Sequence, residues 1–380
     1  MSVLLLIGGF VLLVGGGEAL VRGAASLGRT VGLSSLIIGL TVVSSATSAP
    51  ELAVSTGAAL SGSPGLAVGN VVGSNIANIL FVLGLTAVFG TLPVRRQLIR
   101  ADIPVMIVLS VLALLLAMDG TLSTADGSLL LFLLLVYLVG IILYARRRKA
   151  KGQEPDLAVE EAVGPVGGGL MQRLRATTGG SVAVDVVLVA FGIGLLVAGA
   201  QMLVTGATNI ATALGISELI VGLTVVAVGT SLPELATSII AALRGERDMA
   251  VGNLVGSNIF NIGAVLGLTA LISPEGIAVD RAAVVFDLPV MVAVALVLLP
   301  LAFTGREIAR WEGYLLVTLY IAYVVYLVLA ASQHDALEPF SAAMLWFVLP
   351  ITALWIIALL GYEIGLRRGR RESPDAEYPV

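Results

Sequence analysis

The stretch GLTVVSSATSAPELA, residues 39–53, carries a proline and a glutamate inside an otherwise apolar run, and it recurs as GLTVVAVGTSLPELA at residues 222–236. The next block does the same: GNVVGSNIANI at 69–79 returns as GNLVGSNIFNI at 252–262. Every match falls at an offset of 183 residues without a gap, and 33 of the 49 positions from 39 to 87 are identical in the second copy. A fainter echo, DIPVM at 102–106 and DLPVM at 287–291, follows at an offset of 185. Self-similarity at a fixed long spacing marks a duplicated structural unit.

The solvent of that unit follows from composition. With 58% hydrophobic and 12% charged residues and a mean hydropathy of +1.04, the chain is too apolar to keep a wettable surface around one core. Apolar segments run at about 3–23, 31–60, 66–90, 103–118, 127–145, 184–205, 215–243, 249–272, 284–303, 311–331 and 342–362. Each is long enough to cross hydrocarbon as a helix, so the expected fold is an all-α polytopic membrane protein with eleven spans. Residues 3–23 lack a basic start and a cleavage site and read as a retained span. The chain has no cysteine and one histidine, His334, which argues against disulfides, thiol chemistry, zinc and haem. A net charge of −4 argues against nucleic acid as a partner.

Five spans fall in each copy, so the second must enter the membrane from the opposite side. The sequence therefore predicts two inverted five-helix repeats, at 1–145 and 182–331, joined by a linker at 146–181. Residues 332–380 add a C-terminal eleventh transmembrane helix and a charged tail. Basic residues set the orientation: Arg22, Arg29, Arg95, Arg96, Arg100 and Arg146–Arg148 fall in alternate loops, as do Arg244, Arg247, Arg306, Arg310, Arg367 and Arg368. The opposite loops hold Asp119, Asp126, Glu275 and Asp335. The positive side is cytoplasmic, which puts the N-terminus outside and the C-terminus inside an inner membrane.

Chemistry concentrates where the repeat does. A charged carboxylate at a helix centre costs about 2.5–3.5 kcal/mol or more, and such groups are paired or face a watery cavity. Glu51 and Glu234 are of this kind, and each follows a proline, Pro50 or Pro233, that cannot bond back to Ala46 or Gly229. Helix breaks are expected there, with unwound backbone lining a buried site. Thr47 and Ser48 share a helical face with Glu51, as Thr230 and Ser231 do with Glu234. Ser74 and Asn78 stand four apart in the next span, as do Ser257 and Asn261, beside Gly73 and Gly256. All offer oxygen ligands to hard cations; Ca²⁺ takes about six to eight. Singly, such residues serve helix packing. Their recurrence together and in register favours an ion site. Asp102 and Asp287, each before a proline near a span end, read as helix-start or gate residues, and Glu18, whose mate is Gln201, as structural.

At these positions the chain resembles the calcium/cation antiporter superfamily, and within it the prokaryotic sodium/calcium exchangers. Their paired alpha-repeats correspond to residues 39–87 and 222–270, and the likeness extends over roughly the first 330 residues. The resemblance implies that Glu51 and Glu234 are the central calcium ligands. It further implies that Thr47, Ser48, Thr230, Ser231, Ser74 and Ser257 ligate sodium or calcium, with the backbone carbonyls of Ser44 and Ala227. One departure stands out: many exchangers carry Asp where this chain has Asn261, opposite the Asn equivalent to Asn78. Two formal charges then stand in place of three, and the counter-ion is Na⁺ or H⁺.

The reading is a secondary antiporter that exchanges Ca²⁺ for Na⁺ by alternating access, the first and sixth spans sliding on glycines 15, 16, 17, 192, 194 and 199. A Ca²⁺/H⁺ antiporter is the alternative, followed by a cation channel. An enzyme is not expected, because no catalytic Ser/His pair, His cluster or Asp-rich diphosphate motif is present. Transported cations and membrane lipid are the partners, and no cofactor is implied.

Overall fold

The computed structural model describes residues 1–150, 178–214, 227–273 and 275–372. Helices cross the bilayer length in chain order: α1 (Ser2–Val31), α2 (Ser35–Leu60), α3 (Pro64–Phe89), α4 (Leu98–Asp119), α5 (Thr124–Arg147) and α6 (Ser181–Ala213). The short α7 (Leu232–Leu243) precedes α8 (Arg247–Ile272), α9 (Ala283–Phe303), α10 (Arg310–Ala331) and α11 (Leu337–Leu366). Ten of these are long and apolar enough to span. The seventh expected span is described from Ala227 onward, where a turn of helix, Ala227–Thr230, leads into α7. Residues 222–226 of the duplicated stretch, and most of the 146–181 linker, lie outside the described residues.

α1 and α6 outrun their expected limits. At 1.5 Å per residue, the 30 residues of α1 extend about 45 Å, half as long again as the hydrocarbon is thick. The helix continues through Arg22 and Arg29 until Gly32, at φ 77°, turns it off in a left-handed cap. The two helices lie against each other backbone to backbone. A side-chain carbon on Gly16 would sit 2.8 Å from the Gly192 carbonyl, and one on Gly9 2.7 Å from that of Gly199. Of the glycines expected to ease sliding, Gly16, Gly192 and Gly199 lie in this seam. Gly17 instead faces Ile240 of α7, while Gly15 and Gly194 meet open space. The seam is one close-packed contact, so α1 and α6 form a unit and any sliding surface lies between that unit and the rest.

The centre is built from α2, α3, α7 and α8; α3 and α8 give the largest shares of the buried hydrophobic core, and α4 and α9 much of the rest. α2 meets α8 at backbone distance: a side chain on Gly256 would lie 2.7 Å from Ser44 Oγ and 2.8 Å from the Leu40 carbonyl. Around this core, α5 packs on α8, α10 on α3, and α4 on α9. α11 lies outside, against α9 and α10, and Trp355 meets Trp311 with ring centroids 4.8 Å apart.

The inverted relation is visible in paired contacts. Gly84 of the first repeat touches Gly313 of the second, and Gly267 of the second touches Gly127 of the first. Two antiparallel ladders of two residues each clamp the loops: β1 (Leu92–Pro93) with β4 (Glu307–Ile308), and β2 (Thr121–Leu122) with β3 (Ile277–Ala278). The first gathers the arginine-bearing loops at one end of the molecule; the second gathers those of Asp119 and Glu275 at the other. Arg95 pairs with Asp248 at 2.6 Å on the arginine face.

Candidate functional site

Both glutamates sit just past a kink. In α2 the helix turns at Ser48, with φ −80° and ψ −1°, and resumes at Ala49; in α7 Ser231 does the same, with φ −88° and ψ 4°. The breaks are narrower than the unwound segments the sequence predicts. Pro50 and Pro233 are each the second residue of the resumed helix, where an amide N–H lacks an intrahelical acceptor in any case, so proline starts the new segment instead of unwinding the old one. A different irregularity flanks the site: π-helical turns run over Gly39–Val43, Asn78–Leu83 and Asn261–Leu266. Each adds a residue to a turn, a feature frequent at functional sites.

These breaks bring the expected residues together. Glu51, Glu234, Ser44, Asn78, Asn261 and Ser257 are each 0% exposed, and Thr47, Ser48, Ser74 and Ser231 are buried with them. The carboxylates of Glu51 and Glu234 are close enough for their charges to interact. Glu51's helix packs on the π-turn of Asn261, and Glu234's on that of Asn78, so each acid-bearing helix meets an amide-bearing turn of the other repeat. Hydroxyls cross the same boundary: Thr47 Oγ1 lies 3.3 Å from Ser257 Oγ, and Ser74 Oγ lies 3.5 Å from Thr230 Oγ1. At the offset of 183 these two contacts are mates. Ala227 is placed only as the first residue of its helical turn, and its side chain lies outside the described set.

Among the described residues, eight buried oxygens of this cluster lack a hydrogen-bond partner at normal geometry: both of Glu51, both of Glu234, those of Ser48 and Ser231, and the amide oxygens of Asn78 and Asn261. A buried acceptor left alone costs about 1–3 kcal/mol, more when charged. Proteins seldom concentrate such atoms without giving them a ligand. Among the described residues no three Asp, Glu, His or Cys side chains gather to hold a metal on acidic or imidazole groups. A cation here would be met by two carboxylates and a shell of neutral oxygens.

A second layer was missed by the sequence reading. Asn70 Nδ2 donates to Ser55 Oγ at 2.9 Å and to the Glu51 carbonyl at 3.3 Å, fixing the backbone of the acid. Its mate Asn253 donates to Ser238 Oγ at 3.1 Å and Thr237 Oγ1 at 3.2 Å, and its Oδ1 accepts from Thr47 Oγ1 at 3.2 Å. Asn75 donates to the Asn258 carbonyl at 3.3 Å and accepts from Asn261 Nδ2 at 3.1 Å. All lie in the duplicated blocks, so the offset that exposed the ligand candidates marks these braces as well.

Farther out, Asp102 and Asp287 each end a π-helical turn at the start of a span, as their proline contexts predict. Each accepts from a tyrosine, Tyr137 at 3.0 Å and Tyr323 at 3.2 Å. Neither joins the central cluster. Glu18 is bound by Arg22 and by Arg244, linking α1 to the end of α7.

The chain is similar to known proteins over most of its length. The family model described as "Sodium/calcium exchanger protein" matches residues 1–143 and 184–329. Inner membrane protein YrbG of Escherichia coli is 40% identical over 271 residues, which are 71% of this chain and 78% of that protein. Sodium/calcium exchanger MaX1 of Methanosarcina acetivorans is 33% identical over 318 residues, 79% of this chain and 90% of that one. The solved structure of the sodium-calcium exchanger NCX_Mj, soaked with 10 mM Na⁺ and zero Ca²⁺, superposes with a TM-score of 0.68 at 32% identity, covering 86% of this chain and 99% of that chain. With both duplicated halves inside the matched residues, this chain belongs to the sodium/calcium exchanger family of membrane cation antiporters.

Proposed function

We propose that this protein exchanges Ca²⁺ for Na⁺ by alternating access at one site built on Glu51 and Glu234. The observation that carries the reading is the set of eight buried oxygens without a hydrogen-bond partner at normal geometry, contributed in equal number by the two repeats. Two carboxylates neutralise one Ca²⁺ or two monovalent ions, so calcium and its counter-ions exclude one another from the same ligands. That exclusion is the coupling. Thr47, Ser48, Ser74 and Asn78 from the first repeat, with Thr230, Ser231, Ser257 and Asn261 from the second, complete the oxygen shell. The carbonyls of Ser44 and Ala227 extend it along the two kinked helices. The α1–α6 unit slides across α2 and α7 to open either side, and the arginine-bearing face is cytoplasmic.

A second reading is favoured by one observation. Asn261 carries no charge, and its amide nitrogen is already given to Asn75, so the site holds two acids instead of three. Protons could then serve as counter-ions on the same two carboxylates. Radiolabelled Ca²⁺ uptake into proteoliposomes under separately imposed Na⁺ and H⁺ gradients distinguishes the two. A Na⁺ gradient is expected to drive uptake, and Glu51→Gln or Glu234→Gln to lower it at least about 30-fold, the penalty of removing one partner from a buried charge cluster. Asn261→Asp restores the third charge and is expected to raise the Na⁺ dependence. Full-rate uptake in the double glutamine variant, without either gradient, overturns the proposal.

A further inference from the structure

A cavity of about 1020 Å³ opens on the arginine-bearing face, and none of the twelve candidate ion-site residues lines it. It lies between the starts of α2 and α4, the last turns of α5, and the loop before β4. Four arginines line it against two aspartates. One aspartate is taken: Asp248 is held by Arg95 at 2.6 Å. The other, Asp102, accepts from Tyr137 at 3.0 Å. Arg96, Arg100 and Arg306 are exposed and form no ion pair among the described residues, so the mouth is left with a surplus of positive charge. The interior differs in kind. Ile37, Val105 and Ile141 form apolar walls, and on α5 the residues Tyr137, Gly140, Ile141 and Tyr144 present one helical face over two turns. At Gly140 an added side-chain carbon would meet no atom within 4 Å.

A cationic rim at the membrane-facing ends of spans, above an apolar shaft running down them, has the polarity of a phospholipid. A soluble anion would use the rim and leave the shaft unfilled. We propose that this cavity binds an anionic phospholipid, its phosphate held by Arg96, Arg100 and Arg306 and an acyl chain lying along Val105, Gly140 and Ile141. The guanidinium groups offer forked donors matched to phosphate oxygens. Basic pockets between helices on the cytoplasmic side are a recurrent setting for such headgroups. The site is independent of the transported ions.

The test uses the purified full-length chain in neutral mixed micelles. Binding is read by native mass spectrometry, and the shift in unfolding midpoint is read in parallel. Dioleoylphosphatidylglycerol is titrated against dioleoylphosphatidylcholine and against inorganic phosphate. Phosphatidylglycerol alone is expected to bind and raise the midpoint. Arg96→Ala/Arg100→Ala/Arg306→Ala is expected to weaken it on the order of 100-fold, from about fivefold per arginine beside an anionic lipid. Gly140→Leu fills the shaft while leaving every arginine in place, and is expected to weaken binding on its own. Arg146→Gln/Arg147→Gln, on the same helix but off the lining, retains it within about twofold. Equal binding of phosphatidylcholine or of inorganic phosphate, an unaffected triple variant, or equal losses in the Arg146/Arg147 control overturns the assignment.

Discussion

Asn253→Ala tests how the two repeats are joined. The side chain is 1% exposed and makes three hydrogen bonds, two to α7 through Nδ2 and one from Thr47 through Oδ1. At about 1 kcal/mol each, truncation should cost about 3 kcal/mol. Thr237 keeps the Pro233 carbonyl at 2.7 Å and Thr47 keeps Ser257 at 3.3 Å, so of the three partners only the buried Ser238 hydroxyl loses its hydrogen bond. The Thr47 bond is the informative one, because it crosses between repeats. A double-mutant cycle of Asn253→Ala with Thr47→Val should give a coupling of about 0.6–1.7 kcal/mol, the range found for hydrogen bonds between membrane helices. The mate cycle, Asn70→Ala with Thr230→Val, should give about zero, because Asn70 bonds only to Ser55 and Glu51 of its own repeat. Equilibrium unfolding in mixed micelles measures both. There is a functional corollary as well: Thr47 gives its proton to Asn253 and so keeps lone pairs for a cation, and Asn253→Ala should weaken ion affinity more than Asn70→Ala. Equal couplings in the two cycles would refute the asymmetry.

Two further outcomes follow from the packing of α1. Gly192→Ala places a carbon 2.6 Å from the Leu20 backbone nitrogen and should cost about 1–3 kcal/mol by overpacking, whereas Gly194→Ala meets nothing and should be neutral; unfolding midpoints of the two variants decide. Glu18→Gln weakens the tie to Arg22 and Arg244, and because the pair is partly exposed the effect should stay within about 1 kcal/mol. Since Glu18's mate is Gln201, that tie exists at one face only, and half-saturating ion concentrations measured from the two sides of oriented vesicles should change unequally.

The sequence carries the architecture far because the membrane makes it do so. In hydrocarbon every apolar run of span length must be a helix, and a carboxylate such as Glu51 inside one must have a purpose. The gapless offset added what hydropathy lacks, a statement of which residues are equivalent. It did not separate the candidate ligands, whose oxygens are left without partners, from the residues that brace them. Asn70 and Ser55 are duplicated as faithfully as Glu51, yet they brace, because identity across the repeats records a shared contact and not its partner. The π-turns were equally hidden: one extra residue in a turn leaves composition and apolar length untouched. Ladders of two residues, such as Leu92–Pro93 with Glu307–Ile308, are too short for any alternation to show. The kinks at Ser48 and Ser231 were placed near the prolines but overdrawn, since proline at the second helical position costs little.

What the offset equates, the structure need not keep equal, and the difference carries information. Two kinds of asymmetry are present. The Glu18–Arg244 pair has no mate because its residues have diverged, to Gln201 and Ser61. The Thr47–Asn253 bond lacks a mate although Thr230 and Asn70 are identical to its partners; of the side chains that Asn253 bonds, only Thr237 has diverged, to Val54 in the first repeat, and conformation is the other source of the difference. In an inverted repeat, the oppositely facing state is reached by exchanging the roles of the halves. Under the proposed alternating access, the Thr47–Asn253 bond should therefore break as a Thr230–Asn70 bond forms. The chain has no cysteine, so a cysteine pair placed at either position is free of background. Cross-linking Thr47→Cys/Asn253→Cys and Asn70→Cys/Thr230→Cys should each stop exchange. The two locked forms should then expose the ion site to opposite sides of the membrane, read with an impermeant Ca²⁺ competitor. If both locks leave the same side open, the asymmetry is a fixed feature of the fold and not a switch.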